Sequence, residues 1–147
     1  MDERAPFAVP GRFREGAFEM PQRIYYAETD AGGIVYHAAY LTMAERCRAE
    51  MLRALGLPLV APDGAAFVAR RAAVEWRRPA RLDDLLICAT TVVAIGAASL
   101  ALRHRFLLAG QECARIELSL AHIDATGRPR RLPQPLREAF AALTAAP

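Results

Sequence analysis

The chain has 147 residues and a formal net charge of +3, with 19 basic against 16 acidic side chains. All of its basic residues are arginines and it contains no asparagine, which excludes a Schiff-base or pyridoxal lysine and a Walker A loop. A chain of this length suits one domain that buries roughly 70% of its unfolded surface without disulfide staples.

Cys47, Cys88 and Cys113 are odd in number and widely spaced, with no C-x-x-C. They are expected to be buried, unpaired thiols, and with three histidines that never approach ligand spacing in the sequence they predict no metal site. Residues 1–20 contain no apolar run of the kind a signal peptide needs, and no later stretch reaches the ~18 apolar residues of a membrane span. A cytoplasmic protein is therefore expected. The arginine excess permits anionic partners, but no nucleic-acid recognition motif is present, so none of that class is expected. Arginines distributed over several strands suit the phosphates of a small ligand equally well.

Taken in order, residues 1–20 show neither a helical nor a strand period and are expected to form a flexible arm, which leaves 21–147 as the single domain. Residues from Gln22 to Tyr26 predict a first strand, and Ala31-Gly32-Gly33 breaks it. A helix of about 18 residues follows from near Ala38, with Tyr40, Ala44, Cys47, Met51 and Leu55 as its core-facing stripe. Glu45–Arg48, Arg46–Glu50 and Glu50–Arg53 are predicted charge pairs on its other side. Gly56 before Leu57-Pro58 is a stop signal.

After a loop through Pro62-Asp63-Gly64 the period changes to that of strands. Phe67–Arg78 is the first, with Val68, Ala72, Val74 and Trp76 expected on one face. Leu85–Ile95 is apolar on both faces and predicts a central strand. Ser99–Ala109 and Glu112–Ile123 complete an antiparallel meander, and Leu136–Leu143 predicts a short terminal helix. One helix on one face of an antiparallel sheet is an α+β arrangement. The other face needs a cover, for which a second subunit is the simplest candidate.

Between Gly33 and Thr42 there is no Ser, Thr, Asp or Asn, so the helix starting near Ala38 has no ordinary side-chain N-cap. Its first amides are orphan donors at the positive end of the helix dipole, suited to an anion or a polarised carbonyl, and Asp30 stands beside them. Asp30 before Gly32 also has the form of a turn-capping aspartate. Serine hydrolase chemistry is disfavoured, because Ser99 and Ser119 are the only serines and neither lies in G-x-S-x-G. His104 and His122 alternate with apolar strand residues and read as structural, and Glu50 as a paired helix charge.

The segment Y-Y-A-E-T-D-A-G-G-I-V-Y-H-A-A-Y-L-T-M-A-E-R-C-R-A-E-M-L-R, beginning at Tyr25, resembles hot-dog-fold thioesterases of the 4-hydroxybenzoyl-CoA thioesterase type. It looks most like their Tol-Pal-associated acyl-CoA thioesterase branch. The likeness extends through F-V-A-R-R-A-A-V-E-W-R-R-P-A-R-L-D-D-L-L to about Leu132-Pro133, with T-D-x-x-G-x-V-Y-H as its specific element. The resemblance implies a five-stranded sheet wrapped around one long central helix, a homodimer or homotetramer, and no cofactor. It implies hydrolysis of an acyl-CoA thioester by Asp30 as nucleophile or general base, with Tyr26 and His37 nearby and the His37 amide on the thioester carbonyl. The Ile34–Ala38 amides are expected to join it in stabilising the oxyanion. Gly33, Ile34, Val35 and Tyr36 would then line the substrate. Apart from the resemblance, Arg70, Arg71, Arg77, Arg78 and Arg81 are candidates for the CoA phosphates through their forked donors, Arg70 and Arg78 foremost. The alternatives are an aroyl-CoA or acyl-carrier-protein thioesterase, and a hot-dog protein that binds acyl groups or a partner without turnover.

Overall fold

The computed structural model describes residues 10–144. Its strands are β1 (Arg12–Arg14), β2 (Ala17–Arg23), β3 (Ala66–Trp76), β4 (Leu85–Ile95), β5 (Ser99–Leu108) and β6 (Gln111–Ile123), and its helices α1 (Ala39–Ala54) and α2 (Gln134–Ala141). The strands form one antiparallel sheet in the order β1-β2-β4-β5-β6-β3. The sheet has six strands rather than the expected five, and α1 has 16 residues rather than about 18. Among the described residues, no helix is long and apolar enough to cross a membrane.

The largest departure lies at the start. Residues 12–23, mostly within the expected flexible arm, form the β1–β2 hairpin instead, while residues 1–9 lie outside the described residues. Glu15 and Gly16 both have positive φ, 50° and 77°, as a two-residue hairpin turn requires. Phe18, Met20, Gln22 and Ile24 alternate inward and are buried, so the hairpin belongs to the core. Their outward neighbours Glu19, Pro21 and Arg23 obscure that period. The strand ends at Arg23, and Tyr26–Glu28 forms a 3-10 turn where strand was expected.

The stripe Tyr40, Ala44, Cys47 and Met51 is buried as predicted, joined by Met43 and Leu52. It packs with Leu86, Cys88 and Val92 of β4, Leu100, Leu102 and Phe106 of β5, and Ile116 and Leu120 of β6. Burial of side chains of this type contributes about 1.5–3 kcal/mol each before conformational entropy is charged. Gln22 Nε2 donates to Met43 O at 2.9 Å and ties β2 to the helix. The pairs Glu45–Arg48 and Glu50–Arg53 form, but Arg46 reaches Glu28 at 3.2 Å instead of Glu50.

A bulge between Ala69 and Arg71 interrupts β3. The expected common face is therefore split: Ala72, Val74 and Trp76 lie opposite the inward residues Leu118, Ile116 and Ala114, whereas Val68 lies opposite Ala121, on the other side. β3 pairs only with β6, and most of its residues are exposed. α2 closes the opposite end, with Phe140 buried and Leu143 O accepting from Val92 N at 2.8 Å.

Candidate active site

Asp30 sits in a tight loop joining the 3-10 turn to α1. Its N–H donates to Ile34 O at 2.9 Å, its carbonyl accepts from Gly33 N at 3.0 Å, and its Oδ1 accepts from Gly32 N at 2.8 Å. Gly33 has φ 79°, a conformation that side chains with a Cβ rarely adopt. The loop thus uses one carboxylate oxygen of Asp30 as a turn cap. The other oxygen has no partner among the described residues.

The backbone leading from this loop into α1 has its donors unevenly spent. Val35 N donates to Ala80 O and Tyr36 N to Glu28 O, each at 2.8 Å, and Ala39 N donates to Tyr36 O at 2.9 Å. The expectation that the whole run from Ile34 to Ala38 offers free amides is therefore narrowed. Among the described residues, the Ile34, His37 and Ala38 amides meet no acceptor, the last two at the helix start. The N-cap is Ala38, which supplies no side-chain bond. An unpaired donor pair at the start of a 16-residue helix carries partial positive charge.

Asp30, Ile34, Val35, His37 and Tyr40 line one side of a cleft of about 460 Å³, and Trp76, Arg77, Arg78 and Pro79 line the other. The Trp76 indole N–H donates to His37 O at 3.1 Å and its ring meets the His37 imidazole edge-on at 5.9 Å. The Tyr36 ring packs against the same imidazole at 4.5 Å, tilted by 55°. Tyr40 is 2% exposed, and burial pushes its hydroxyl up to about 12, with Cys113 and Asp84 adding to the effect, so it remains a protonated donor. Arg77 is held by Glu75 at 2.9 Å and by Glu112, and Arg78 by Gln111.

Of the residues expected at the site, Asp30, Ile34, Val35, His37 and Arg78 share this cleft, while Gly33 and Tyr36 shape the loop behind it. Tyr26 is not brought there: its side chain is 83% exposed, and its carbonyl caps Thr29. Arg70, the bulged residue of β3, lines a separate groove with Leu41, Arg48 and Arg71. Tyr40, Trp76 and Pro79 were not expected in the cleft, whereas Arg77 was among the arginines expected to reach the phosphates. The available signal was the chain's one tryptophan, placed at a strand end just before Arg77-Arg78-Pro79. A further hollow of about 330 Å³ along the β1–β2 hairpin has Glu19 as its sole carboxylate, paired to Arg12 at 3.3 Å. It offers no free reacting group.

The expectation that cysteines and histidines stay apart does not survive folding. Cys47, Cys88 and His104 bring ligand atoms within 4.8 Å of one another in the core, although Cys113 is not part of that group. His122, by contrast, donates its Nδ1–H to Arg130 O, 2.8 Å away, and is structural.

Residues 26–140 match the thioesterase-like superfamily. The chain belongs to that family. This thioesterase-like chain is 37% identical over 127 residues to the acyl-CoA thioester hydrolase YbgC of Escherichia coli O6:H1, covering 84% of itself and 95% of that protein. It is 34% identical over 130 residues to the acyl-CoA thioesterase YbgC of Haemophilus influenzae, covering 86% and 96%. A probable thioesterase from Bartonella henselae superposes with a TM-score of 0.75 at 34% identity, over 78% of this chain and 98% of that one. A 1,4-dihydroxy-2-naphthoyl-CoA thioesterase from Synechocystis superposes at 0.78 with 23% identity, over 85% and 96%, a likeness of fold alone. The antiparallel sheet with its two helices is the hot-dog thioesterase fold.

Proposed function

We propose that Asp30 and the free amides at the start of α1 form the reaction centre of this thioesterase. The chain is an acyl-CoA thioester hydrolase, which converts a thioester and water to a free acid and CoA thiol. The observation that carries the site assignment is the presence, on one cleft, of a carboxylate with a free oxygen beside a helix start whose first donors are unspent.

The thioester carbonyl lies against the His37 and Ala38 N–H groups, which stabilise the oxyanion as it develops. One such donor is worth about 3 kcal/mol in the barrier. Asp30 supplies the carboxylate, either attacking the carbonyl to give a mixed anhydride that water then opens, or taking a proton from an attacking water. The His37 imidazole, held between Tyr36 and Trp76, orients the water. Arg78, with Arg77 beside it, faces the CoA phosphates, and forked guanidinium donors suit them. Tyr26 and Arg70 have no part in this cleft within one chain. The exposed edge of β3, carrying Val68 and Trp76, supports a homodimer or homotetramer. Three unpaired thiols support a cytoplasmic setting, and the Tyr25–Arg53 segment supports the Tol-Pal-associated branch.

Free-thiol release from a panel of aliphatic and aromatic acyl-CoAs and acyl carrier protein thioesters tests the reading and assigns the substrate class. No release from any of them, with the fold intact, returns the protein to a binding role. Single-turnover hydrolysis in oxygen-18 water tests the first route: label entering Asp30 marks direct attack followed by water opening the anhydride at the Asp30 carbonyl.

A further inference from the structure

The four polar side chains Cys47, Cys88, Thr90 and His104 meet between α1 and the sheet, and each is 0% exposed. Sheet register explains the meeting. Thr90 of β4 and His104 of β5 are directly paired, and Cys88 lies two residues before Thr90 on the same face. Cys47 approaches from the buried stripe of α1. None of the four lines the Asp30 cleft.

Thr90 Oγ1 lies 2.7 Å from His104 Nδ1, 3.3 Å from Cys47 Sγ and 3.9 Å from Cys88 Sγ. The ligand atoms of the two cysteines and the histidine are all within 4.8 Å of one another. Bonds of about 2.0–2.3 Å in a tetrahedral zinc site give ligand separations of roughly 3.3–3.8 Å, so ligand atoms up to 4.8 Å apart draw in by up to about 1.5 Å on binding. The rest of the neighbourhood is apolar, with Met20, Met43, Met51 and Phe106 in the same core. Thr90 engages His104 Nδ1, and Nε2, buried without a partner, is left as the ring nitrogen free to bond a metal.

We propose that Cys47, Cys88 and His104 hold one structural zinc ion, with the Thr90 hydroxyl on His104 Nδ1 orienting the ring. Two sulfurs and one imidazole nitrogen select a borderline-soft cation over magnesium or calcium. Charge selects a divalent one. Two thiolates and a neutral imidazole cancel Zn²⁺, so a dry core holds no net charge after binding. On binding, each thiol gives its proton to solvent as its sulfur bonds the metal, with no change of oxidation state. The bound ion would join α1 to β4 and β5 behind the catalytic cleft. Because the site is buried, loading takes place during folding or local opening.

The test uses cadmium as a spectroscopic stand-in for zinc. The full chain, kept reduced with a phosphine, is equilibrated with Cd²⁺ when native and also refolded from denaturant in its presence. The expected result is one metal per chain by elemental analysis, an ultraviolet cadmium–thiolate band, and a Tm raised by several degrees. Two of the three thiols should become protected against alkylation. Cys113→Ala, which removes a buried thiol outside the cluster, should bind as the wild type does, whereas Cys47→Ala and His104→Gln should lose the band. If either of the latter fails to fold, stoichiometry and thiol protection in the wild type still decide. Substoichiometric metal after both loading routes overturns the proposal, as does an equal loss of binding in Cys113→Ala.

Discussion

The two ends of α1 are finished in opposite ways. At the C-terminus, Gly56 N donates to Arg53 O at 3.0 Å and Leu57 N to Leu52 O at 2.9 Å, with Gly56 at φ 73°. This is a complete Schellman closure. At the N-terminus, Ala38 gives no side-chain cap and the His37 and Ala38 amides stay unbonded among the described residues. A cap of the usual type is worth about 1 kcal/mol, so one end was optimised for stability and the other left open where a substrate carbonyl can complete it.

The comparison is broken most severely at the open end. Asp30→Asn should lower kcat about 10²–10⁴-fold, the range for removal of a positioned acid–base group, with thermal melting little changed. Full activity in that variant would remove Asp30 from the chemistry and leave it a turn cap. The closed end should respond in the opposite sense. Gly56→Val forces a side chain into a left-handed conformation and should cost about 1–2 kcal/mol in a denaturant titration while kcat on folded enzyme stays near normal.

Trp76→Phe keeps the aromatic wall but removes the donor to His37 O. The peptide unit that carries this carbonyl also carries the Ala38 N–H, so the loss should loosen one oxyanion donor. We expect kcat to fall about fivefold, matching roughly 1 kcal/mol for one hydrogen bond, with a smaller change in KM. An effect confined to KM would make Trp76 a substrate contact alone.

Acid should produce the smallest effect, acting on the cleft wall. Burial raises the Glu112 carboxyl, but hydrogen bonds from Arg115 and Arg105 outweigh it and hold the group below the ordinary 4.5. A carboxyl depressed by folding contributes stability above its unfolded value and loses it as pH falls through the folded one. Unfolding curves between pH 5 and pH 3 should therefore show wild type losing up to about 1 kcal/mol more than Glu112→Gln, a modest figure because the arginine partners are partly exposed. The pH range is that of a carboxylate titrating near and below its usual value.

Much of this molecule was legible along the chain. Leu85–Ile95 coincides with β4 because a strand apolar on both faces leaves little freedom of boundary. Gly56 stopped α1 as expected because only glycine enters the required φ cheaply. Asp30, Gly33 and His37 were legible as a loop before an uncapped helix because those features are local. The β1–β2 hairpin was not, because its outward residues are charged or proline and mask the alternation of Phe18, Met20 and Gln22.

Local order thus determined the long helix, its stop, the run of long strands and the loop that holds Asp30, since each depends on interactions within a few residues. What faces that loop was decided by sheet register. Trp76 and Arg77 reach it from 39 and 40 positions beyond His37, as their residue numbers show, because β3 ends where it does against β6. Register also joined Thr90 to His104 and placed Cys47 above them. Separations of that length carry no periodic signal in the sequence, and only the packing of a helix onto a paired sheet converts them into contact.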